Sequence, residues 1–94
     1  MLRFEWDENK NKLNFHKHGL WFEEVTSAFN DPLSRLFFDK DHSENEDRFV
    51  LLGSDALGRV LVVVHIHRES ESLVRIISAR KATKKEAKTY EKRV

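Results

Sequence analysis

Apolar and polar residues alternate over several short segments of the chain, and this period-2 pattern predicts β-strands. Residues 2–6 alternate apolar with charged side chains, as a half-buried strand does. Four more strands are predicted over 33–38, 48–54, 59–67 and 73–80, joined by connections short enough for antiparallel pairing. Residues 59–67 carry apolar side chains on both faces, which predicts that this strand is the central one.

Two helices are predicted between the first and second strands. The first follows Asp7, which can cap its N-terminus, and ends near Lys17, because Gly19 favours the left-handed conformation of a helix stop. The second carries an apolar stripe that begins at Phe22, with apolar residues at i, i+3, i+6 and i+7. Residues 30–32, with the sequence Asn-Asp-Pro, end this helix.

A third helix is predicted to begin after Thr83 and to run to the end of the chain. Thr83 and Glu86 have the Thr-x-x-Glu spacing of a capping box. The predicted order is β-α-α-β-β-β-β-α. We therefore expect an α+β fold, with a mainly antiparallel sheet that helices cover on one side, in a single domain over residues 1–94.

Acidic and basic residues are separated along the chain, although the net charge is only +1. Residues 39–47 hold five acids and one lysine, a net charge of −4, and residues 80–94 hold seven basic residues and two glutamates, a net charge of +5. This separation predicts a basic face for an anionic ligand. The alternative is a solvated helix and a solvated loop with no ligand.

Several classes of function are excluded by what the sequence lacks. Without cysteine there is no disulfide, thiolate nucleophile or cysteine-based zinc site. No Walker loop, dinucleotide-binding glycine motif, Gly-x-Ser-x-Gly elbow or His-Glu-x-x-His motif is present. No apolar run is long enough for a signal peptide or a membrane span, so we expect a cytoplasmic protein with no membrane partner.

Arg48 and Arg80 each stand at one end of a predicted strand. An arginine guanidinium is planar and always charged, so it can hold two phosphate oxygens at once and stabilise charge in a transition state. The alternative for either arginine is a structural ion pair with Glu46 or Asp47.

Histidines provide the candidates for proton transfer. His18 can act as a general acid or base near neutral pH, but it falls at the end of the first helix, so helix capping is the alternative role. His65 and His67 lie on one face of a strand at a spacing compatible with metal binding. No carboxylate at a fixed spacing completes such a site, so we expect no metal there.

Basic residues on the first and third helices are candidates for contacts with RNA phosphates. They are Lys10, Lys17, Lys84, Lys85 and Lys88. Tyr90, on the third helix, can stack on a base. In the alternative interpretation, the lysines form solvated helix faces and Tyr90 packs its helix onto the sheet. Trp6 and Trp21 are more typical of core or protein-partner contacts.

A series of short motifs spans most of the chain. In chain order they are Phe4-Glu5-Trp6-Asp7-Glu8-Asn9-Lys10, Asn14, Lys17-His18-Gly19, Phe22-Glu23-Glu24, Glu46-x-Arg48, Gly53, Gly58-Arg59 and Arg75-Ile76-Ile77-Ser78-Ala79-Arg80. In their order and spacing they resemble the BrnT family, the toxin half of a bacterial toxin–antitoxin pair. Members of that family are known as small ribonucleases of RelE-like fold.

The resemblance implies an endoribonuclease toxin that cleaves RNA to inhibit translation. We expect cleavage to need no metal and no cofactor, because the sequence shows no ligand set for a catalytic metal. Arg48 and Arg80 would hold the phosphate. His18, with Glu46 as its substitute, would transfer the proton, and Lys10 would add positive charge. The implied partner is a BrnA-like ribbon-helix-helix antitoxin, with two toxins flanking one antitoxin dimer that also binds operator DNA.

Two alternatives remain open on sequence alone. One is a non-catalytic module of the same fold that binds RNA or a protein through its basic helix. The other is a degenerate toxin that retains only antitoxin binding.

Overall fold

The structure of the chain, a computed structural model, describes residues 1–68 and 72–92. Residues 69–71, in the predicted connection between the last two strands, lie outside the described residues. So do residues 93–94, at the end of the predicted third helix.

The described residues form five strands and three α-helices. In chain order these are β1 (Arg3–Glu5), α1 (Glu8–His18), α2 (Phe22–Val25), β2 (Arg35–Phe38), β3 (Arg48–Ser54), β4 (Val60–Arg68), β5 (Leu73–Lys81) and α3 (Lys84–Glu91). Short 3-10 helices follow α2 (Thr26–Asn30) and β2 (Lys40–His42). The predicted α+β class and element order are therefore confirmed.

All five strands form one sheet in the order β1-β5-β4-β3-β2. β1 runs parallel to β5, and the other neighbours pair antiparallel. β4 is the central strand, as its two apolar faces predict, and β2 forms an edge of the sheet. No helix among the described residues is long and apolar enough to cross a membrane.

The ends of α1 follow the predicted capping pattern. The Asp7 carboxylate accepts hydrogen bonds from the backbone N–H groups of Asn9 (2.8 Å) and Lys10 (3.2 Å). Gly19 adopts the left-handed conformation at φ 72°, and its N–H donates to the Phe15 carbonyl. These bonds satisfy backbone groups that have no partner inside the helix, so they fix where α1 begins and ends.

The face of the sheet that α1 and α2 cover is the inner face, and the hydrophobic core lies between them. Its buried members are Leu20, Phe22, Val25, Ala28, Leu51, Leu61, Val63, Val74, Ile76 and Ala79. Phe22 and Val25 come from the stripe predicted for the second helix, which buries this side of α2 completely. Trp6 packs against the same core with its ring edge-on to Phe22, as predicted for a core residue.

Buried Asn14 joins α1 to β5 beyond the point where β1 ends. Its amide nitrogen donates to the carbonyls of Leu20 and Ala79, each at 2.9 Å. Its amide oxygen accepts the Ala79 N–H at 3.0 Å. The side chain thus replaces a neighbouring strand at this position, and it satisfies backbone groups that would otherwise be buried without partners.

The opposite face of the sheet is the open face, and α3 covers only one part of it. Glu86 and Thr89 of α3 line a depression with Phe37, Val50 and Val62. The expectation that helices cover only one side is therefore wrong. The short connection after β5 places α3 on the open face, where the Arg35 guanidinium at the far edge donates to the Thr89 carbonyl at 2.8 Å.

Candidate functional site

The uncovered part of the open face carries arginines from four strands. Across the sheet, Glu5 pairs with Arg75, Arg75 with Ile66, and Ile66 with Arg48. Residues paired in register project from the same face. Arg48 and Arg75 therefore lie in one row with Glu5. In the next row, Arg3 and Arg68 flank a leucine. We call Arg3, Arg48, Arg68 and Arg75 the arginine cluster.

In the described part of the chain, two carboxylates lie among these four cations. Glu5 Oε2 is 3.3 Å from Arg75 Nη1 and 3.5 Å from Arg68 Nε. Arg68 Nη1 is also 3.9 Å from Glu46 Oε2. Counted over the described residues, the cluster keeps a positive excess, which favours an anion over this part of the sheet.

Arg48 differs from its neighbours in its surroundings. The alternative predicted from the sequence was an ion pair between Arg48 and Glu46 or Asp47. The structure places neither carboxylate in an ion pair with Arg48, and Glu46 faces Arg68 instead. Among residues 1–68 and 72–92, no carboxylate lies within salt-bridge distance of the Arg48 guanidinium. The described carboxylates thus leave the charge of Arg48 available to a ligand.

Arg48 lines a depression beside the acidic loop that follows β2. The lining residues are Asp41, His42, Glu44, Asn45, Glu46, Arg48 and Ile66. The structure thus brings together Arg48 and Glu46, two of the predicted catalytic residues.

The same depression contains His42, which the sequence analysis missed. Its Nδ1 lies 3.1 Å from both carboxylate oxygens of Asp39. A carboxylate on one ring nitrogen orients the imidazole and leaves the other nitrogen to exchange a proton. The Asp-x-x-His spacing was the available sequence signal, but it lay inside a loop interpreted as solvated.

Arg80 projects from the open face at a different position. It pairs in register with Val62, whereas Arg48 pairs with Ile66 on the same strand. Those partners are four residues apart, or about 13 Å along β4. Arg48 and Arg80 are therefore not brought together on one phosphate.

The Arg80 guanidinium has an internal partner. Its two terminal nitrogens donate to Glu86 at 2.7 and 2.9 Å, and Glu86 also accepts the Thr83 N–H at 2.8 Å. The hydrogen bonds from Arg80 lower the pKa of Glu86 to about 2. The sequence alternative of an ion pair is thus present, but with Glu86 rather than Glu46 or Asp47. This ion pair joins β5 to α3, and Glu86 separately forms the predicted capping box with Thr83.

His18 lies at the edge of β5 rather than beside Glu46. It lines a shallow depression with Lys10, Lys17, Ile77 and Ser78. The cap of α1 at this end is the Gly19 N–H bonded to the Phe15 carbonyl. Two predicted RNA-binding lysines thus accompany His18 in a second basic region, next to the position where β5 bulges against β4.

The remaining RNA-binding candidates are on α3. Lys84, Lys85 and Lys88 are exposed to solvent. The Tyr90 hydroxyl donates to the Asp31 carboxylate, which ties α3 to the segment before β2. This bond supports the packing role for Tyr90 that the sequence analysis held as the alternative.

His65 is fully buried between the rings of Phe29 and Phe49. Its Nδ1 lies 3.1 Å from the Val63 carbonyl, and its Nε2 has no hydrogen-bond partner among the described atoms. Burial lowers the pKa of His65 to about 4, so the ring is neutral in the folded protein at neutral pH. In the described part of the chain, no three histidine or acidic side chains come close enough to bind one metal ion.

The fold and this surface define a class: a small α+β protein that presents a cluster of arginines on one open sheet face. Comparison with protein families identifies the particular family. Residues 6–86 match the model of the ribonuclease toxin BrnT of type II toxin–antitoxin systems. The chain belongs to the BrnT family, and the resemblance seen in its motifs is confirmed.

A solved structure has the same fold. The 1.1 Å crystal structure of the Brucella abortus ribonuclease toxin BrnT aligns with a TM-score of 0.67 and 25% sequence identity. The alignment covers 89% of this chain and 100% of that one. Comparison with the sequences of curated proteins gives no significant match.

Proposed function

We propose that this chain is a metal-independent endoribonuclease toxin, and that RNA binds across the arginine cluster of the open face. The observation that carries the proposal is that Arg48, which pairs with no carboxylate among the described residues, shares one depression with Glu46 and His42. A phosphate-binding cation and two groups able to transfer protons are the parts that RNA cleavage needs.

RNA supplies its own nucleophile, the 2′-hydroxyl. In the proposed reaction, a bond forms between the 2′-oxygen and phosphorus while the bond between phosphorus and the 5′-oxygen breaks. A base takes the 2′ proton, and an acid gives a proton to the departing 5′-oxygen. The protein must align these atoms in line and stabilise negative charge on the phosphate, and neither task requires a metal ion.

Arg48 is assigned to the phosphate because no described carboxylate lies within salt-bridge distance of its guanidinium, whereas Arg68 and Arg75 both lie near Glu5. Glu46 and His42 are assigned to proton transfer because both lie in the acidic loop and line the same depression as Arg48. Such acid–base assistance is typically worth about 10²–10⁴-fold in rate. His18 was the first sequence candidate for this role, and in the proposal it contacts a neighbouring nucleotide instead.

The other basic regions extend the proposed RNA path. Lys10 and Lys17, which lie beside His18, would contact the RNA at the edge of β5. Lys84, Lys85 and Lys88 would contact the RNA along α3, and Arg80 lies between these two regions. Their role is to hold the backbone through phosphate contacts, which are weakened by salt and carry no sequence information.

The antitoxin of this pair is proposed to be a BrnA-like ribbon-helix-helix protein that binds operator DNA. Membership of a type II toxin–antitoxin family supports a protein antitoxin. The finer expectation, two toxins flanking one antitoxin dimer, rests on the resemblance to BrnT proteins.

The test is cleavage of a labelled RNA by the purified chain in excess EDTA. Wild-type protein should cleave, Arg48→Ala should lose at least about 100-fold in rate, and Arg48→Lys should recover little, because a point charge does not replace the planar fork. Lys12→Ala, which removes an exposed cation from α1, is the control and should cleave normally.

Three results count against the proposal. Normal cleavage by Arg48→Ala would place the chemistry elsewhere. Activity lost in EDTA and restored by zinc or magnesium would show that a metal takes part. RNA binding without turnover would favour the non-catalytic module.

A further inference from the structure

The outer edge of β2 is the most apolar exposed part of the sheet. β2 pairs with β3 on one side, and within the described residues no strand pairs with its other side. Leu36, Phe37 and Phe38 follow one another there, and their exposed fractions are 54%, 42% and 53%. Natural edge strands are usually protected by charges, prolines or bulges, because unpaired backbone groups beside apolar side chains recruit another strand. Here Arg35 alone supplies a charge within the strand.

Depressions flank this edge on both faces of the sheet. On the inner face, Leu36 and Phe49 line one together with Asp47 and His67. On the open face, Phe37 lines another with Val50 and Val62, beneath α3. Alternate residues of an added strand point to opposite faces and reach the residues opposite them at about 5 Å. An extended segment with apolar residues at every position would therefore fill both depressions in turn.

The charge next to the edge selects the kind of segment. β2 leads directly into residues 39–47, which carry five acids and one lysine. A strand that lies along β2 and continues past Phe38 meets this acidic loop. Basic residues at that end of the segment would complement the loop, whereas a second copy of this chain would bring its own acidic loop or its own Arg35 to the same place.

We propose that the protein antitoxin of this toxin adds an extended apolar segment to the edge of β2, with basic residues following it over the acidic loop. The proposal rests on the proposed function as a toxin, and on a protein antitoxin that type II family membership implies. It names the surface and the chemistry of the segment. Main-chain hydrogen bonds to the edge would give affinity, and the two depressions would select side chains.

The position of this edge connects docking to inhibition. The acidic loop that follows β2 also lines the depression of Arg48, through His42 and Glu46. A basic segment bound over this loop would cover the entrance to the Arg48 depression and would block RNA from it sterically. Neutralisation then requires no contact with the arginine cluster itself.

The experiment compares two double variants, each co-expressed with the protein encoded by the neighbouring reading frame. Leu36→Lys with Phe38→Lys places charge on the edge. Ala56→Lys with Leu57→Lys changes two exposed residues of the turn between β3 and β4, and it serves as the matched control. For each we would measure thermal unfolding of the free chain, affinity for the neighbouring protein, and RNA cleavage with and without it.

The edge variant should keep the wild-type fold and cleavage rate. It should bind the neighbouring protein at least about 30-fold more weakly, as expected when a pair of interface hot-spot residues is lost, and its cleavage should no longer be inhibited. The control should bind and be inhibited like wild type. In wild-type protein, backbone amides of residues 35–38 that do not bond to β3 should gain protection from hydrogen exchange on complex formation. Because the hydrogen-exchange measurement uses wild-type protein, it tests the proposal even if the edge variant fails to fold.

Affinity within about threefold of wild type, or protection confined to another surface such as the exposed Phe15–Trp21 ring pair, would overturn the proposal. A wild-type chain that dimerises alone and becomes monomeric in the edge variant would also overturn it, because a second copy would then occupy the edge. If the free wild-type chain fails to cleave RNA, the proposed function fails, but the binding and exchange results still decide the docking surface.

Discussion

At the scale of single residues, Arg48 and Arg80 show what a sequence can and cannot predict. Both were selected because an arginine at a strand end can bind phosphate, and both project from the open face. Their surroundings differ, because Arg80 is held by Glu86 while no described carboxylate holds Arg48. The sequence could not reveal this difference, since the path of the chain after β5 decides which carboxylate Arg80 meets.

The Arg80–Glu86 pair allows a structural role to be separated from a role in cleavage. Arg80→Ala and Glu86→Gln both remove the charged pair, so each should lower the free energy of unfolding by about 1 kcal/mol, as partly exposed pairs do. If Arg80 also holds RNA, cleavage should fall only in Arg80→Ala, because Glu86→Gln leaves the guanidinium free. Urea denaturation and a cleavage assay measure the two effects.

Equal loss of stability in the two variants, with full cleavage in both, would assign Arg80 to the structural role alone. A loss of cleavage in Arg80→Ala without any loss of stability would instead show that the pair with Glu86 contributes nothing to the fold.

At the scale of secondary-structure elements, the sequence predicted the bounds of helices and strands more accurately than it predicted the partners of side chains. Capping residues and hydrophobic periods are local signals, and they placed β3 at its observed bounds and α1 within about one residue. The side of the sheet that α3 covers was predicted wrongly. The sparse apolar stripe of this helix fits either face, so the choice depends on Arg35 and Arg80, which meet α3 only in the folded chain.

The hydrogen bonds of Asn14 link two elements that sequence patterns treat as independent. Asn14→Ala leaves the Ala79 N–H and C=O and the Leu20 C=O without this partner, so it should destabilise the fold by about 3 kcal/mol. The Ala79 amide should also exchange its hydrogen faster. Asn9→Ala is the control, because the exposed Asn9 contributes its backbone N–H to the Asp7 cap and that bond remains.

The prediction fails if Asn14→Ala unfolds at the wild-type urea concentration while the Ala79 amide stays protected. Water entering the site would then satisfy the same backbone groups, and Asn14 would not hold the free part of β5.

At the scale of the whole molecule, charge separation along the chain predicts a basic face from the third helix, and it does not point to the arginine cluster. The +5 segment contains the lysines of α3, whereas the arginine cluster draws one member from each of four strands, between residues 3 and 75. Only the register of the sheet brings Arg48 into line with Arg75. A sum over a sequence window therefore cannot detect the cluster.

Stability of the whole fold should depend on pH through His65, which folding buries in its neutral form. Its folded pKa of about 4 lies below its ordinary value of 6.5. As pH falls below 6.5, the unfolded chain binds a proton that the folded chain does not, so acid favours unfolding. The stabilising effect of the neutral ring is complete above pH 6.5 and is lost as pH falls toward 4. Between pH 7.5 and 5 the free energy of unfolding should decrease by about 2 kcal/mol.

Substitution of the ring separates His65 from the other titrating groups. His65→Phe keeps an aromatic ring between Phe29 and Phe49 but cannot bind a proton, so its free energy of unfolding should change much less over this range. His16→Phe, at an exposed position on α1, should retain the wild-type dependence. Urea denaturation at pH 7.5, 6.5, 5.5 and 5 measures all three proteins. A wild-type curve that is flat over this range, or a His65→Phe curve as steep as the wild type, would show that the buried ring does not set the acid stability of this fold.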